Sequence, residues 1–188
     1  LLGTRLNLFT LFGGVFNPAA KTVQVDIEPE EIGRNRQVDL PIMSDINGLV
    51  AELNELVDGA GSGEAWKQQF SPWIDELKEA EKKGRDDAAA DWTTDNVPIH
   101  PMRLAKEIDN FLDRDDDILV TDGGDTTTWI GMTRTFRRAG HYLDYGIFGS
   151  LGGGIPYANA AKSLYPEKRV LLLSGDGSMG FNFMELER

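Results

Sequence analysis

Cysteine is absent, which excludes disulfides, thiolate metal sites and cysteine nucleophiles. Long apolar runs are missing too, and nothing in the chain approaches the roughly 20 residues that a membrane-spanning helix requires. Positive charge is scarce. Acidic residues outnumber basic ones 31 to 19, and the resulting net charge of -12 works against a grip on nucleic-acid phosphates or an anionic membrane. Neither nucleic acid nor membrane is expected as a partner. Histidine is confined to His100 and His141, neither in a spacing that suggests catalysis or metal binding, so both read as structural or surface residues. The opening Leu1-Leu2-Gly3-Thr4-Arg5 has no initiator Met and no signal-peptide layout. Leu1 reads as the end of a buried strand and residues 181–188 as a helix without a stop signal. The chain is therefore expected to be a fragment, and a cytoplasmic one.

What is present belongs to a globular protein: 40% hydrophobic and 27% charged residues can build a core, and 188 residues suffice for one domain or parts of two. Residues 22–27, Thr-Val-Gln-Val-Asp-Ile, form a short β-branched strand that ends on Asp26. Pro29-Glu30-Glu31-Ile32-Gly33 then has proline at a helix start, acids in its first turn and glycine as terminator. A second short strand over 38–43 precedes Asp45, the cap of a helix over 46–57 whose apolar positions Ile46, Leu49, Val50, Leu53 and Leu56 keep helical spacing.

From 58 to 98 the composition shifts. Gly-Ala-Gly-Ser-Gly at 59–63 breaks the pattern, and a charged helix with a packing stripe of Trp66, Phe70, Trp73, Ile74 and Leu77 fades into the solvated run 82–87. This segment reads as a linker. A second α/β pattern begins at 99, with an amphipathic helix over 101–112 carrying Met102, Leu104, Ala105, Ile108, Phe111 and Leu112. A strand over 118–121 runs into Asp122-Gly123-Gly124-Asp125 and a helix through Trp129, and a strand over 169–173 runs into Ser174-Gly175-Asp176-Gly177-Ser178 and a further helix. The fold class is α/β: parallel sheets with flanking helices, in parts of two Rossmann-like domains. Residues 1–57 form the end of one, 58–98 the linker and 99–188 the beginning of the other.

Ligands of open α/β sheets bind at the carboxyl ends of strands, against exposed backbone N–H groups and helix N-termini. Gly175-Asp176-Gly177 stands at such a place, and Asp176 adds a hard carboxylate oxygen suited to magnesium. A metal-bridged diphosphate would satisfy both features, although Asp and Gly also suit an ordinary strand-to-helix turn. Residues 148–156, Phe-Gly-Ser-Leu-Gly-Gly-Gly-Ile-Pro, are too interspersed with large apolar side chains for a flexible linker, and a helix follows at once. Leu151 is the bulky residue among these glycines.

The pair Gly149-Ser150-Leu151-Gly152-Gly153-Gly154-Ile155-Pro156 and Gly175-Asp176-Gly177-Ser178, separated by one helix and one apolar strand, resembles the cofactor domain of thiamine diphosphate-dependent enzymes. The acetolactate synthase-like branch, with benzaldehyde lyase and 2-hydroxyacyl-CoA lyases, is the most similar. Asp122-Gly123-Gly124-Asp125 with Trp129, and Leu143-Asp144-Tyr145-Gly146-Ile147-Phe148-Gly149, resemble the lyases of that branch. Gly3-Thr4-Arg5 and residues 25–35 are similar to the second half of the family's middle domain.

This resemblance implies thiamine diphosphate and magnesium as cofactors, with Asp176 as a metal ligand. It implies that Gly175, Gly177 and Ser178 cradle the diphosphate from one side and Gly124, Asp125 and Thr126 from the other. Asp125 fits least well, since its charge repels a diphosphate unless it turns away. Gly149, Ser150 and Leu151 would face the cofactor, with Leu151 forcing its bent shape. Arg5 and Asp26 match positions near an FAD or ADP held by the middle domain, which would make the protein a flavoprotein in the first case. No catalytic residue is expected in these 188 residues, because the family's activating glutamate belongs to an N-terminal domain and the asparagine completing the metal motif lies further on. Asn182 is too close to Asp176 to be that asparagine. The implied enzyme is a transferase or lyase, a homodimer or homotetramer with its active site between subunits, acting on a small molecule. Carboligation or decarboxylation of a 2-oxo acid is the leading expectation. The alternatives are a 2-hydroxyacyl-CoA or acyloin lyase, or a non-catalytic regulatory or scaffold relative that keeps the fold.

Overall fold

The computed structural model describes residues 1–61, 63–136 and 138–187, with Phe9 described by its backbone alone. The chain divides into two compact units, Leu1–Ala80 and Glu81–Arg188.

In the first unit, β1 (Val23–Asp26) and β2 (Leu40–Met43) pair in parallel with Val25 opposite Ile42, and Leu2 forms a further parallel bridge to Val25. Val25, Gln24 and Asp26 are buried, so the polar side chains must find partners. Gln24 does so by donating to the Glu31 carbonyl and accepting from the Gly33 amide, which closes the proline-led turn Pro29–Glu31. Asp45 caps α1 (Ile46–Ala60) by accepting from the Gly48 amide at 3.0 Å. The helix runs three residues beyond the expected end, to Gly61 in a left-handed conformation. Its apolar stripe remains uncovered: Ile46, Val50, Leu53 and Leu56 are exposed. Helical spacing specifies a face without specifying what lies against it.

The same holds for α2 (Gly63–Thr93), whose Trp66, Phe70, Trp73, Ile74 and Leu77 are exposed rather than packed. The expected fade-out at 82–87 does not occur. The helix continues through the charge run because Arg85 pairs with Glu81 and Lys82 with Asp86 at i,i+4 spacing. Ser62, within the glycine-rich break, lies outside the described residues.

In the second unit, His100 Nδ1 accepts from the Met102 amide at the start of α3 (Pro101–Phe111). Met102, Ala105 and Ile108 are buried on this helix, followed by Leu112, whereas Leu104 and Phe111 are exposed. Then come β3 (Ile118–Asp122), α4 (Gly124–Thr133), β4 (Tyr142–Leu143), α5 (Gly154–Leu164), β5 (Val170–Ser174) and α6 (Asp176–Phe181). The strands form one parallel sheet in the order β4-β3-β5, with Val120 opposite Leu143 on one side and Leu172 on the other. Every residue of β3 is buried. Its side chains alternate between two cores, as a two-residue period requires. Leu119 joins Ala105, Ile108, Leu112 and Ile130 from α3 and α4, while Ile118 and Val120 join Ala161 from α5.

At the amino end of the sheet, buried Asp117 accepts from Arg169 Nε at 2.9 Å and Nη2 at 2.7 Å. The expected helix over 181–188 does not form. Asn182 leaves the helical region at φ -132°, its side-chain amide donates to the Gly152 carbonyl at 2.6 Å, and Phe183–Glu187 continues as a 3-10 helix. Arg188 lies outside the described residues.

Helix α5 starts hard against the sheet, since a Cβ on Gly154 would lie 2.6 Å from Asp122 Cβ and 2.7 Å from Leu172 Cδ1. Gly154→Ala in the whole protein is therefore expected to cost about 1–3 kcal/mol by overpacking, read as a fall in the urea midpoint at unchanged slope.

Candidate functional site: glycine loops at the carboxyl edge of the sheet

Asp122 is the last residue of the central strand, 1% exposed. Its carboxylate has no ion pair among the described residues; it accepts from the Gly152 amide, at 3.1 Å on Oδ1 and 3.0 Å on Oδ2, and from the Gly154 amide at 2.7 Å on Oδ2. Its backbone carbonyl accepts from the Gly175 amide at 3.1 Å. Asp122 thus anchors both glycine-rich loops. Its importance escaped the motif reading, which took it only as part of a four-residue match. The available signal was a carboxylate closing an otherwise apolar buried strand, which has to find N–H donors somewhere.

The loop after β5 approaches the loop after β3 closely. Gly123 holds φ +115°, and a Cβ on it would meet Ser178 Oγ at 2.9 Å. Ser178 itself is buried. Gly152 is likewise at φ +95°, with a Cβ there only 2.6 Å from Phe181 Cβ, and Asn182 bonds its carbonyl. Sequence reasoning set Asn182 aside as a metal ligand and gave it no other role. The fold uses it to close the loop that carries Leu151.

Three helices, α4, α5 and α6, begin on this edge, and none has a side-chain cap at its N-terminus. The first-turn amides of a helix have no acceptor within the helix, so those of Gly124, Asp125 and Thr126, and of Asp176, Gly177 and Ser178, offer donors in an electropositive field. The Thr126 hydroxyl is not among them, because it donates to the Gly123 carbonyl at 2.8 Å. At Gly124, Gly175 and Gly177 a Cβ would meet nothing within 4 Å, and none of the three has a positive φ. Neither the fold's own packing nor its backbone conformation calls for glycine there. A bare backbone beside open space suits the close approach of an oxyanion.

Asp125 and Asp176 are both exposed in these first turns. No cluster of three or more His, Asp or Glu stands ready for a metal among the described residues, so a cation at Asp176 would take further ligands from the anion it bridges. Leu151 is 45% exposed and Phe148 90% exposed, with Gly149 and Ser150 exposed between them.

In the first unit, Arg5 and Asp26 are neighbours, with Arg5 Nε 3.5 Å from Asp26 Oδ2 and 3.8 Å from Glu31 Oε2. The Glu28 amide, donating at 3.0 Å, holds the Asp26 carboxyl below its ordinary range; burial opposes this and Arg5 reinforces it.

A parallel sheet with uncapped helix starts and bare glycines at its carboxyl edge is the arrangement at which α/β proteins take phosphorylated ligands. Residues 122–188 match the thiamine pyrophosphate enzyme C-terminal TPP binding domain, and residues 1–53 the thiamine pyrophosphate enzyme central domain. The chain belongs to the thiamine pyrophosphate enzymes. Among its relatives, a probable acetolactate synthase of Mycobacterium bovis is 37% identical over 98% of this chain and 32% of its own length. A probable acetolactate synthase large subunit of Methanococcus aeolicus is 29% identical over 91% of this chain and 29% of its own. Acetolactate synthase 1, chloroplastic, of Zea mays is 30% identical over 91% and 26%. The chain spans about a third of the length of these relatives. No described helix is long and apolar enough to cross a membrane.

Two outcomes test this geometry in the whole protein. Asp122→Ala leaves two buried amides without an acceptor and is expected to lose about 2–4 kcal/mol, with faster hydrogen exchange at 150–154 and 174–178. Asp26 has a depressed folded pKa, so its contribution to stability is present above the unfolded carboxyl value of about 3.9 and is lost as pH falls through the folded value. Asp26→Asn is accordingly expected to flatten the decline of the urea midpoint below about pH 4. An unchanged acid slope would contradict the bonding described for this carboxylate.

Proposed function

We propose that the whole protein is a thiamine diphosphate- and magnesium-dependent carboligase or decarboxylase that acts on a 2-oxo acid, in the manner named for its acetolactate synthase relatives. One observation carries this function. Gly175 and Gly177 leave bare backbone at an uncapped helix start, in a segment that matches a TPP binding domain. The first-turn amides of Gly177 and Ser178, with Gly175 at the cap, receive the diphosphate from one side, and those of Gly124, Asp125 and Thr126 from the other. Asp176 gives one carboxylate oxygen to magnesium. Asp125 turns its charge away from the diphosphate. Gly149, Ser150 and Leu151 lie against the organic part of the cofactor, where the half-exposed Leu151 side chain sets its bend. Bound there, thiamine diphosphate supplies a nucleophilic ring carbon and an electron sink for making or breaking a bond next to a carbonyl.

The rest of the chain has its place in the same enzyme. Residues 1–57 belong to the middle domain, 58–98 to a linker and 99–188 to the cofactor domain. Arg5 and Asp26 stand where an FAD or ADP would be held, Arg5 on a phosphate and Asp26 on a ribose hydroxyl. The activating glutamate and the remaining metal ligand come from elsewhere in a cytoplasmic homodimer or homotetramer.

Calorimetric titration of the whole protein with thiamine diphosphate, with and without magnesium, tests the site, and pyruvate consumption in the same sample tests the substrate class. Asp176→Ala is expected to lower magnesium-dependent affinity by tenfold or more, the worth of one charge-assisted ligand. Gly177→Ala is expected to weaken cofactor binding while leaving the urea midpoint unchanged or raised, because alanine favours a helix by about 1 kcal/mol over glycine. Binding without pyruvate consumption would favour an acyl-CoA or acyloin lyase, and no binding a non-catalytic relative.

A further inference from the structure

The opposite, amino edge of the same sheet carries a second feature that the cofactor does not explain. A cavity of about 340 Å³ opens there, at the lower end of the range for small-molecule sites. It is bounded by the end of α3, the segment before β3, and the stretch between α4 and β4, with Trp92 and Phe136 among its walls.

Its charged groups divide into two sets. The carboxylates are engaged: Asp109 pairs with Lys106 and Arg134, Asp113 and Asp117 both pair with Arg169, and Asp115 is not free either. Two cations are left over. The guanidinium groups of Arg114 and Arg138 line the cavity, are exposed, and make no hydrogen bond or ion pair among the described residues.

The wall of the cavity also contains two buried nitrogens without a hydrogen-bond partner, Arg134 Nε and His141 Nδ1. Arg134 is held through Nη1, which donates to the Leu112 carbonyl at 3.0 Å and to Asp109 Oδ1 at 3.1 Å. A buried N–H without an acceptor costs free energy. Unpaired arginines around a small cavity, in a chain whose net charge is -12, run against the charge of the rest of the molecule.

We propose that this cavity binds a small organic oxyanion, a carboxylate or phosphate carried on a planar or apolar body. Arg114 and Arg138 grip the charged group in the forked geometry that suits oxyanions. The body rests toward Trp92 and Phe136. The cofactor's diphosphate is excluded as the occupant, because the glycine loops lie at the other end of β3. That strand connects the two ends directly: Asp117 precedes it on the cavity side and Asp122 closes it on the loop side.

The test uses the whole protein saturated with thiamine diphosphate and magnesium, so that the diphosphate site is filled. Phenyl phosphate, benzoate and inorganic phosphate are titrated in by calorimetry. Saturable binding of one equivalent per chain is expected for phenyl phosphate or benzoate, tighter than for inorganic phosphate, and the preferred head group identifies phosphate or carboxylate. The Arg114→Ala/Arg138→Ala double variant removes two exposed, unpaired side chains and should fold normally. It is expected to bind the probe at least about tenfold more weakly, with thiamine diphosphate affinity unchanged. Hydrogen exchange should slow at 112–117 and 133–141 when the probe binds, and not in the variant. Absence of binding by all three probes, equal binding by the variant, or protection confined to other segments would each overturn the proposal.

Discussion

The buried carboxylate of Asp122 fixes the geometry on which the candidate site depends. It closes a strand whose five residues are all buried, accepts from the Gly152 and Gly154 amides through its side chain, and accepts from Gly175 through its backbone. A carboxylate without a cation beside it is stable in such a place only when backbone N–H groups surround it. Here the donors come from two loops separated in sequence, so satisfying one charge sets the spacing of both. The glycines at 152 and 154 follow from the same constraint: the loop must come within hydrogen-bonding distance of a packed strand, and no side chain fits between them.

Once those loops are fixed, the edge divides its glycines by purpose. Gly123, Gly152 and Gly154 have no room for a Cβ, whereas Gly124, Gly175 and Gly177 face empty space. The first group builds the site and the second leaves it open. Gly124, Gly175 and Gly177 thus keep backbone accessible where the fold's own packing would admit a side chain. The uncapped starts of α4 and α6 support the same division, since a Ser or Asp cap would have used the amides internally.

Much of this was legible from residues alone. The two-residue alternation of β3, the proline start of α3 and the Asp45 cap of α1 act locally, and local signals survive folding. Strand-then-glycine-then-helix is itself a local pattern, and the structure sets both glycine motifs at the carboxyl edge of the sheet. What was not legible depends on contacts distant in sequence. The role of Asp122 depends on amides about thirty residues away, which helical or strand periodicity does not encode. The end of α6 depends on the Asn182 side chain finding the Gly152 carbonyl. The stripes of α1 and α2 remain exposed, against the packing expected of the second, because apolar residues at helical spacing define a direction and not a neighbour.

The two ends of β3 show how one strand can serve different chemistries. At its amino end, Asp117 is matched by the guanidinium of Arg169; at its carboxyl end, Asp122 is matched by backbone amides alone. Both carboxylates are buried, but the first is satisfied by a charged side chain supplied from elsewhere in the sequence, and the second by the main chain of the loops it organises. At the carboxyl edge the helix starts carry positive dipole ends, with the carboxylates of Asp125 and Asp176 in their first turns. The amino edge uses its arginines for structure as well as for charge. The pairing of Arg169 with two aspartates and of Arg134 with Asp109 neutralises the local acids and leaves Arg114 and Arg138 as surplus. The two ends of the strand thus satisfy their carboxylates differently, one with a guanidinium and one with peptide amides, and its fully buried middle separates them.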